Sequence, residues 1–321
     1  MHNPLPSFVT ALDQGVHVID TGFHRDLFDA AYLVVQDGRA AFIDTGTGFA
    51  VPRLLAALDA VGLGVEAVDW VIPTHVHLDH AGGVGQLMQA LPNARCLVHP
   101  RGVRHLIDPS ALWAGALAVY GEEGMQRSYG ELLAVAAERV QASVDNSTVL
   151  LAGRPLFIAH TPGHARHHHC IWDEASQGWF TGDTFGLSYR EFDTAQGAWI
   201  VPTATPVQFE PEVLIGSIQR LLERQPQCMY LTHYGCVQEV QRLGRLLLSL
   251  LAELVELGRT VQRPGLATAQ RHEALRQGQL QIFLRSLRAH GCTMTDPQIG
   301  ELLAVDLELN AQGMAIWLDR T

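Results

Sequence analysis

The feature that most constrains this chain is a short run rich in metal-ligand side chains at residues 74–80. It contains three imidazoles and one carboxylate within six positions: His75, His77, Asp79 and His80. Burying such groups without partners is costly, because ring nitrogens and charged oxygens lose their hydrogen bonds to water. A bound metal ion removes that cost by accepting their lone pairs. The run therefore predicts a metal site.

The residues around this run place it on a loop between a strand and a helix. An apolar stretch ending at Ile72 is typical of a buried strand, and Pro73 ends it. Apolar residues recur at helical spacing from Val84 to Leu91, and Pro92 ends that pattern. His75 and His77 are two positions apart, so an extended segment can point both in the same direction. Two separate metal positions are therefore natural here.

Three further ligand-type residues lie downstream, and each follows a short apolar run. His164 comes after residues 155–159, Asp183 after residues 178–182, and His233 after residues 228–232. An α/β fold places loops at the ends of such strands. Alone, each residue is more typical of a loop histidine or a capping aspartate, but together with residues 74–80 they indicate a shared site.

These residues, in this order, resemble the metallo-β-lactamase-fold hydrolase superfamily, over roughly residues 14 to 240. The match begins at the segment 43–46, which contains Asp44, and continues through residues 74–80. The resemblance implies an α/β fold, a four-layer αββα sandwich built from two similar halves, with a helical extension at the carboxyl end. It also implies that Asp44 orients the metal ligands.

The same resemblance implies how the ligands divide between two divalent metal ions. His75, His77 and His164 would hold one ion, Asp79, His80 and His233 the other, and Asp183 would bridge them. Zinc is the expected metal, with iron or manganese as alternatives. A bridging hydroxide would attack a small ester, lactone or thioester, and Asp79 and Asp183 are the expected catalytic residues.

At some positions this sequence differs from better-known branches of the superfamily, and these differences reduce the number of activities to consider. The residues after His233 are Tyr234 and Gly235, whereas glyoxalase II enzymes usually carry glutamate there, which argues against a glutathione thioester. True β-lactamases of this fold place cysteine or serine where Asp183 stands. Three alternatives stay open: an iron persulfide dioxygenase with one metal, a phosphodiesterase, and a metal-binding protein without catalysis.

The charge and hydrophobicity of the sequence argue against nucleic acid and membranes as binding partners. The chain has 22 Lys+Arg against 33 Asp+Glu, a formal charge of −11, and no lysine-rich run, so nucleic acid is not expected. No apolar run reaches the ~20 residues of a membrane span, and no signal peptide is visible. Five unclustered cysteines indicate core residues in a reducing compartment. We expect a cytoplasmic enzyme with a small-molecule substrate.

Three regions are expected to set specificity. The first is a helical insertion at about residues 108–140 within a domain of residues 1–240. The second is the long loop from Thr184 to Pro211, in which Tyr189 and Arg190 are candidates for substrate binding. The third is a helical extension, residues 241–321, with leucines at helical spacing and a break at Pro264 and Gly265. This extension is expected either to roof the site or to form a homodimer contact.

The resemblance requires only His164 from the histidine-rich segment that contains it. For His167, His168 and His169 we expect one to donate a supporting hydrogen bond or to enter the next strand, and another to face water.

Overall fold

A computed structural model describes residues 4–262 and 267–320. The chain divides into two compact units. Unit 1 comprises Met1–His160, His167–Gly182 and Gln227–Cys236, of which residues 4 onward are described. Unit 2 comprises Thr161–Arg166, Asp183–Pro226 and Val237–Thr321, within the same described ranges.

The first sheet of unit 1 has seven strands in chain order. They are β1 (Val9–Ala11), β2 (Val16–Asp20), β3 (Ala30–Gln36), β4 (Arg39–Ile43), β5 (Val68–Ile72), β6 (Arg95–Val98) and β7 (Val140–Ala142). Strands β1 to β4 pair antiparallel, whereas β4 to β7 pair parallel. Parallel neighbours need crossover connections, and these carry the helices of the unit.

The second sheet has six strands, in the order β13-β12-β11-β10-β9-β8. They are β8 (Ser147–Leu151), β9 (Arg154–His160), β10 (His169–Asp173), β11 (Gly178–Gly182), β12 (Cys228–Leu231) and β13 (Gly235–Val237). Strand β12 runs parallel to β11, and the chain between them, residues 183–226, belongs to unit 2.

The two sheets of unit 1 pack face to face because their strands are apolar on both faces. Along β3, Tyr32 and Val34 enter a core shared with Ile158, Ile171 and Phe180 of the second sheet. The alternate residues Ala31 and Leu33 enter a separate core on the other face. A strand buried on both faces is a continuous apolar run, as this one is.

Helices of unit 1 cover that second core. They are α1 (Val51–Ala60), α2 (Leu78–Ala81), α3 (Val84–Ala90), α4 (Val103–Ile107) and α5 (Ser110–Ser128). Leu54 and Leu58 of α1 and Leu87 of α3 are buried there. The predicted insertion is therefore helical at α5, but its helix ends at Ser128. Predicted helical positions between 130 and 136 are wrong: Gly130 has φ +70°, which ends regular structure.

Among its described residues, unit 2 has one α-helix before β12 and four after it. They are α6 (Pro211–Glu223), α7 (Val240–Val261), α8 (Thr268–Ala289), α9 (Asp296–Leu302) and α10 (Ala304–Leu318). Leucines at helical spacing bury one face of α7, as the sequence predicted. The predicted break at Pro264 and Gly265 lies outside the described residues. Within the described chain, no helix is both long and apolar enough to cross a membrane.

The α/β sandwich and the helical carboxyl-terminal region predicted from the sequence are confirmed. The compact units do not follow the predicted domains of residues 1–240 and 241–321, because residues 161–166 and 183–226 group with the carboxyl-terminal helices. The domain boundary near residue 240 stays a prediction. All five cysteines are free thiols.

Candidate metal centre

The ligand-rich run lies between β5 and α3, as the sequence predicted, but its last three residues belong to the short helix α2 rather than to a loop. Strand β5 ends at Ile72, and α2 begins at Leu78 and contains Asp79 and His80. His75 is fully buried and His77 is half-buried. The His75 Nε2 lies 2.8 Å from His77 Nδ1, and the His75 Nδ1 lies 3.2 Å from the Thr74 hydroxyl. The two imidazoles therefore turn nitrogen atoms toward each other.

Asp44 ties this loop to the end of β4. Its backbone has φ +55°, and its N–H donates to the Ile72 carbonyl at 3.1 Å. The buried carboxylate accepts from the Thr74 N–H at 2.6 Å and the Thr74 hydroxyl at 3.0 Å. It also lies 2.9 Å from His80 Nδ1 and accepts from the Thr232 hydroxyl at 2.7 Å. Asp44 therefore fixes the His80 ring with its Nε2 turned away from the carboxylate.

Asp79, His80 and His233 form one ligand cluster within unit 1. Their ligand atoms all lie within 4.8 Å of one another. The Asp79 Oδ2 is 3.3 Å from His233 Nε2 and 3.6 Å from His80 Nε2. The two imidazoles are buried, whereas the Asp79 side chain is 26% exposed. Solvent therefore reaches the cluster at Asp79.

His233, like His80, is held in place by a contact of its Nδ1, the ring nitrogen that faces away from the other ligands. Its Nδ1 lies 2.9 Å from the Phe28 carbonyl, and the Phe28 ring meets it edge-on with centroids 5.3 Å apart. The buried Asp29 carboxylate lies 3.9 Å from the same nitrogen. Burial raises the pKa of Asp29 to about 7, and the neighbouring His233 opposes that rise.

This cluster fits a divalent metal ion. Two imidazole nitrogens and one carboxylate oxygen are ligands that zinc, iron and manganese accept. In each imidazole, Nδ1 contacts an oxygen: the Asp44 carboxylate for His80 and the Phe28 carbonyl for His233. Metal-binding histidines usually make such a contact with one ring nitrogen, and the other nitrogen, here Nε2, is then the ligand atom.

One glycine lets β11 approach the loop closely. Gly182 has φ +47°, and a Cβ there would lie 2.5 Å from the Thr74 hydroxyl and 2.6 Å from His168 Nε2. No larger side chain fits without moving Thr74, which is bonded to Asp44. The His168 ring stacks on His75 with centroids 4.8 Å apart.

His164 and Asp183 lie together in unit 2. The His164 Nε2 is 3.4 Å from Asp183 Oδ2, and its Nδ1 is 3.0 Å from the Thr203 hydroxyl. Thr203 also bonds the Asp183 carbonyl at 3.2 Å. Gly163 sets the position of His164: its φ is +127°, and a Cβ there would lie 2.3 Å from the Leu214 backbone nitrogen. Both side chains are buried.

The expectation that one of His167, His168 and His169 faces water is wrong, because all three are buried. His169 enters β10 and bonds the Ser143 hydroxyl at 2.9 Å and the Pro73 carbonyl at 2.9 Å. Burial lowers the pKa of His169 to about 3 and that of His167 to about 2, so both rings are neutral at pH 7. Their neutrality limits repulsion beside the ligand loop.

The two candidate substrate residues have partners inside unit 2. Tyr189 is 1% exposed, and its hydroxyl donates to Asp306 at 3.1 Å. Arg190 donates to the Ser188 carbonyl and lies 3.3 Å from Asp193. These contacts give Tyr189 and Arg190 a structural role within unit 2. Their role in substrate binding stays a prediction.

Sequence reasoning missed the residues that hold the ligands from behind. Thr232, whose hydroxyl donates to Asp44, directly precedes His233 in the sequence. Its position beside a predicted ligand could have indicated a supporting role. The Phe28 carbonyl carries no such signal, because every residue has a carbonyl and the contact joins positions 205 residues apart.

The fold and the ligand cluster define a class of α/β protein with a candidate metal site, and comparison with known proteins identifies its family. The sequence model of the Metallo-beta-lactamase superfamily matches residues 24–233. The chain belongs to this superfamily.

Individual relatives agree with that assignment. The metallo-beta-lactamase fold-containing protein ST1585 of Sulfurisphaera tokodaii is 27% identical over 228 residues, 70% of this chain and 80% of that protein. Its crystal structure has a TM-score of 0.61 at 24% identity, covering 87% of this chain and 100% of that one. The metallo-beta-lactamase family protein TTHA1429 of Thermus thermophilus has a TM-score of 0.66 at 20% identity, covering 97% and 95%.

One relative has a named activity. The atrochrysone carboxyl ACP thioesterase of Aspergillus fumigatus is 28% identical over 154 residues, 48% of this chain and 38% of that protein.

Proposed function

We propose that this protein is a metal-dependent hydrolase with two divalent ions, acting on a small ester, lactone or thioester. His75, His77 and His164 would hold one ion, Asp79, His80 and His233 would hold the other, and Asp183 would be a ligand shared by the two. The observation that carries the proposal is the Asp79–His80–His233 cluster with its two imidazoles fixed through Nδ1. Membership of the superfamily, whose sequence model matches residues 24–233, supports the proposal for the remaining ligands.

The bound ions, zinc in our proposal, lower the pKa of a water molecule and polarise the substrate's carbonyl oxygen. The protein's own side chains and backbone hold the metal-binding imidazoles in a fixed orientation. Asp44 fixes His80, and the Phe28 carbonyl fixes His233, so neither ring reorients when substrate enters. Asp79 is first a metal ligand, through the Oδ2 that faces both imidazoles; as the most exposed member of the cluster, its carboxylate would also relay a proton to the departing group.

Two lines of support favour acyl over phosphoryl substrates. The thioesterase relative acts, by its name, on an acyl thioester. The formal charge of −11 disfavours a polynucleotide, because such substrates need a basic surface. A small ester, lactone or thioester is therefore the substrate class to test first.

The test is hydrolysis of a panel of esters, lactones, thioesters and phosphodiesters by the zinc-loaded protein and two variants. Asp183→Ala is expected to abolish hydrolysis and lower metal content. Asp193→Ala is the matched control, since Asp193 is an exposed carboxylate on the same loop, 3.3 Å from Arg190.

Activity that survives in Asp183→Ala contradicts the role of Asp183. Hydrolysis of phosphodiesters alone refutes the acyl substrate. Oxygen consumption with a persulfide, without hydrolysis, replaces the proposal with the one-iron dioxygenase.

A further inference from the structure

A pocket in unit 1 lies between the helical insertion and the loops that follow β2 and β4. Its volume is about 300 Å³, and its walls are residues 21–24, Thr47 and Phe49, and Arg127 and Ser128 at the end of α5. That volume is at the lower end of the range for small-molecule sites, about 300–1,000 Å³. We call it the insertion pocket.

Aromatic contacts fix the walls of the insertion pocket. The Phe23 ring lies 5.5 Å from that of Tyr129, which joins the loop after β2 to the insertion. Phe49 packs against Gly130, where a Cβ would lie 3.2 Å from the ring. Phe49 is nevertheless 57% exposed, an unusual exposure for a large apolar side chain at a pocket wall. The pocket therefore offers apolar surface to a ligand.

The insertion pocket adjoins the ligand cluster through a chain of rings. His24 lines the pocket, and its ring meets Phe28 edge-on with centroids 5.3 Å apart. Phe28 in turn meets His233 at 5.3 Å. Burial lowers the pKa of His24, and the Asp79 carboxylate opposes that fall.

Arg127 gives the pocket a positive charge. Among the described lining residues it is the one with a permanent charge. The Glu123 carboxylate lies 3.9 Å from its guanidinium, which is beyond hydrogen-bond distance, and both side chains are largely exposed. Arginine binds carboxylates through paired N–H donors, and it can exchange water for such a ligand. In a chain with a net charge of −11, a local cation is needed to attract an anionic substrate.

We propose that the insertion pocket binds the acyl part of a substrate that ends in a carboxylate, with Phe49 against its methylene groups and Arg127 on the carboxylate. This inference rests on the proposed hydrolase function and names its substrate class. The preferred substrates are monoesters or monothioesters of short dicarboxylic acids.

The test compares nitrophenyl hydrogen glutarate with the neutral nitrophenyl butyrate, using the metal-loaded protein. The readout is the ratio of their kcat/KM values. Arg127→Gln is expected to lower the glutarate-to-butyrate ratio by about twofold to fivefold, the range for a largely exposed ion pair. Arg127→Lys keeps the charge and is expected to retain most of the ratio. Arg95→Gln is the matched control, because Arg95 is exposed on β6 and lies outside the pocket lining.

An equal ratio in wild type, Arg127→Gln and Arg95→Gln overturns the proposal. Binding of glutarate itself, measured by calorimetry with the same proteins, separates the two claims. If no ester is hydrolysed but glutarate binding weakens only in Arg127→Gln, the hydrolase function fails while the pocket assignment stands. If glutarate binding is unchanged by Arg127→Gln, the pocket assignment fails, whatever the hydrolysis result.

Discussion

Replacing Asp44 by asparagine tests whether this buried carboxylate holds the ligand cluster. The carboxylate takes part in four hydrogen bonds, one at Oδ1 and three at Oδ2, and is 1% exposed. Asparagine offers one acceptor oxygen and two donors in the same space, so at least one set of these bonds is lost. Each bond to a charged group contributes about 1.5–3 kcal/mol, and we expect Asp44→Asn to cost about 2–4 kcal/mol of unfolding free energy.

Metal affinity is expected to fall as well, by about 10- to 100-fold, because His80 loses the partner that orients its ring. The assays are urea denaturation in excess chelator, which removes the stabilising effect of bound metal, and competition with a chromophoric chelator. Asp37→Asn is the matched control: Asp37 also has positive φ (45°), but it is exposed in the turn between β3 and β4. If both variants match wild type within about 0.5 kcal/mol and about twofold in metal affinity, the reasoning about Asp44 is refuted.

Two further predictions concern stability. The pKa of His169 is lowered by burial to about 3, so its contribution is complete above the ordinary value near 6.5 and is lost as pH falls from there toward 3. We expect this histidine alone to cost about 2 kcal/mol between pH 7 and pH 5, and His169→Gln to flatten the pH dependence of urea unfolding; an unchanged dependence contradicts the assignment. Gly163→Ala should cost about 3 kcal/mol, because its Cβ would meet the Leu214 backbone at positive φ, whereas Gly153→Ala, at φ +86° with open space, should cost about 1 kcal/mol in thermal unfolding. Equal losses in these two variants would show that the contact with Leu214 is not what requires glycine.

The elements of the site that depend on the pattern of apolar residues along a short segment could be predicted from the sequence. The apolar run before Pro73 and the helical spacing after Gly83 correctly placed residues 74–80 between β5 and α3, but they did not predict the short helix α2 at Leu78–Ala81. The leucine spacing also predicted α7. These patterns depend on neighbouring residues, so no knowledge of the tertiary fold was needed.

Contacts between distant segments could not be predicted in this way. The Phe28 carbonyl that fixes His233, and the burial of His167, depend on how strands far apart in sequence are paired. The end of α5 was also missed, since Leu132 and Leu133 continue an apolar spacing after Gly130 has already ended the helix. Here one positive φ value outweighs a periodic pattern.

The most direct test of the central claim is the identity and number of metal ions in protein purified without added metal, measured by elemental mass spectrometry beside the His80→Ala variant. We predict about two zinc or manganese ions per chain in the wild type, as a two-metal hydrolase requires, and a clear loss in the variant. One iron per chain, or the same metal content in both proteins, would contradict the account.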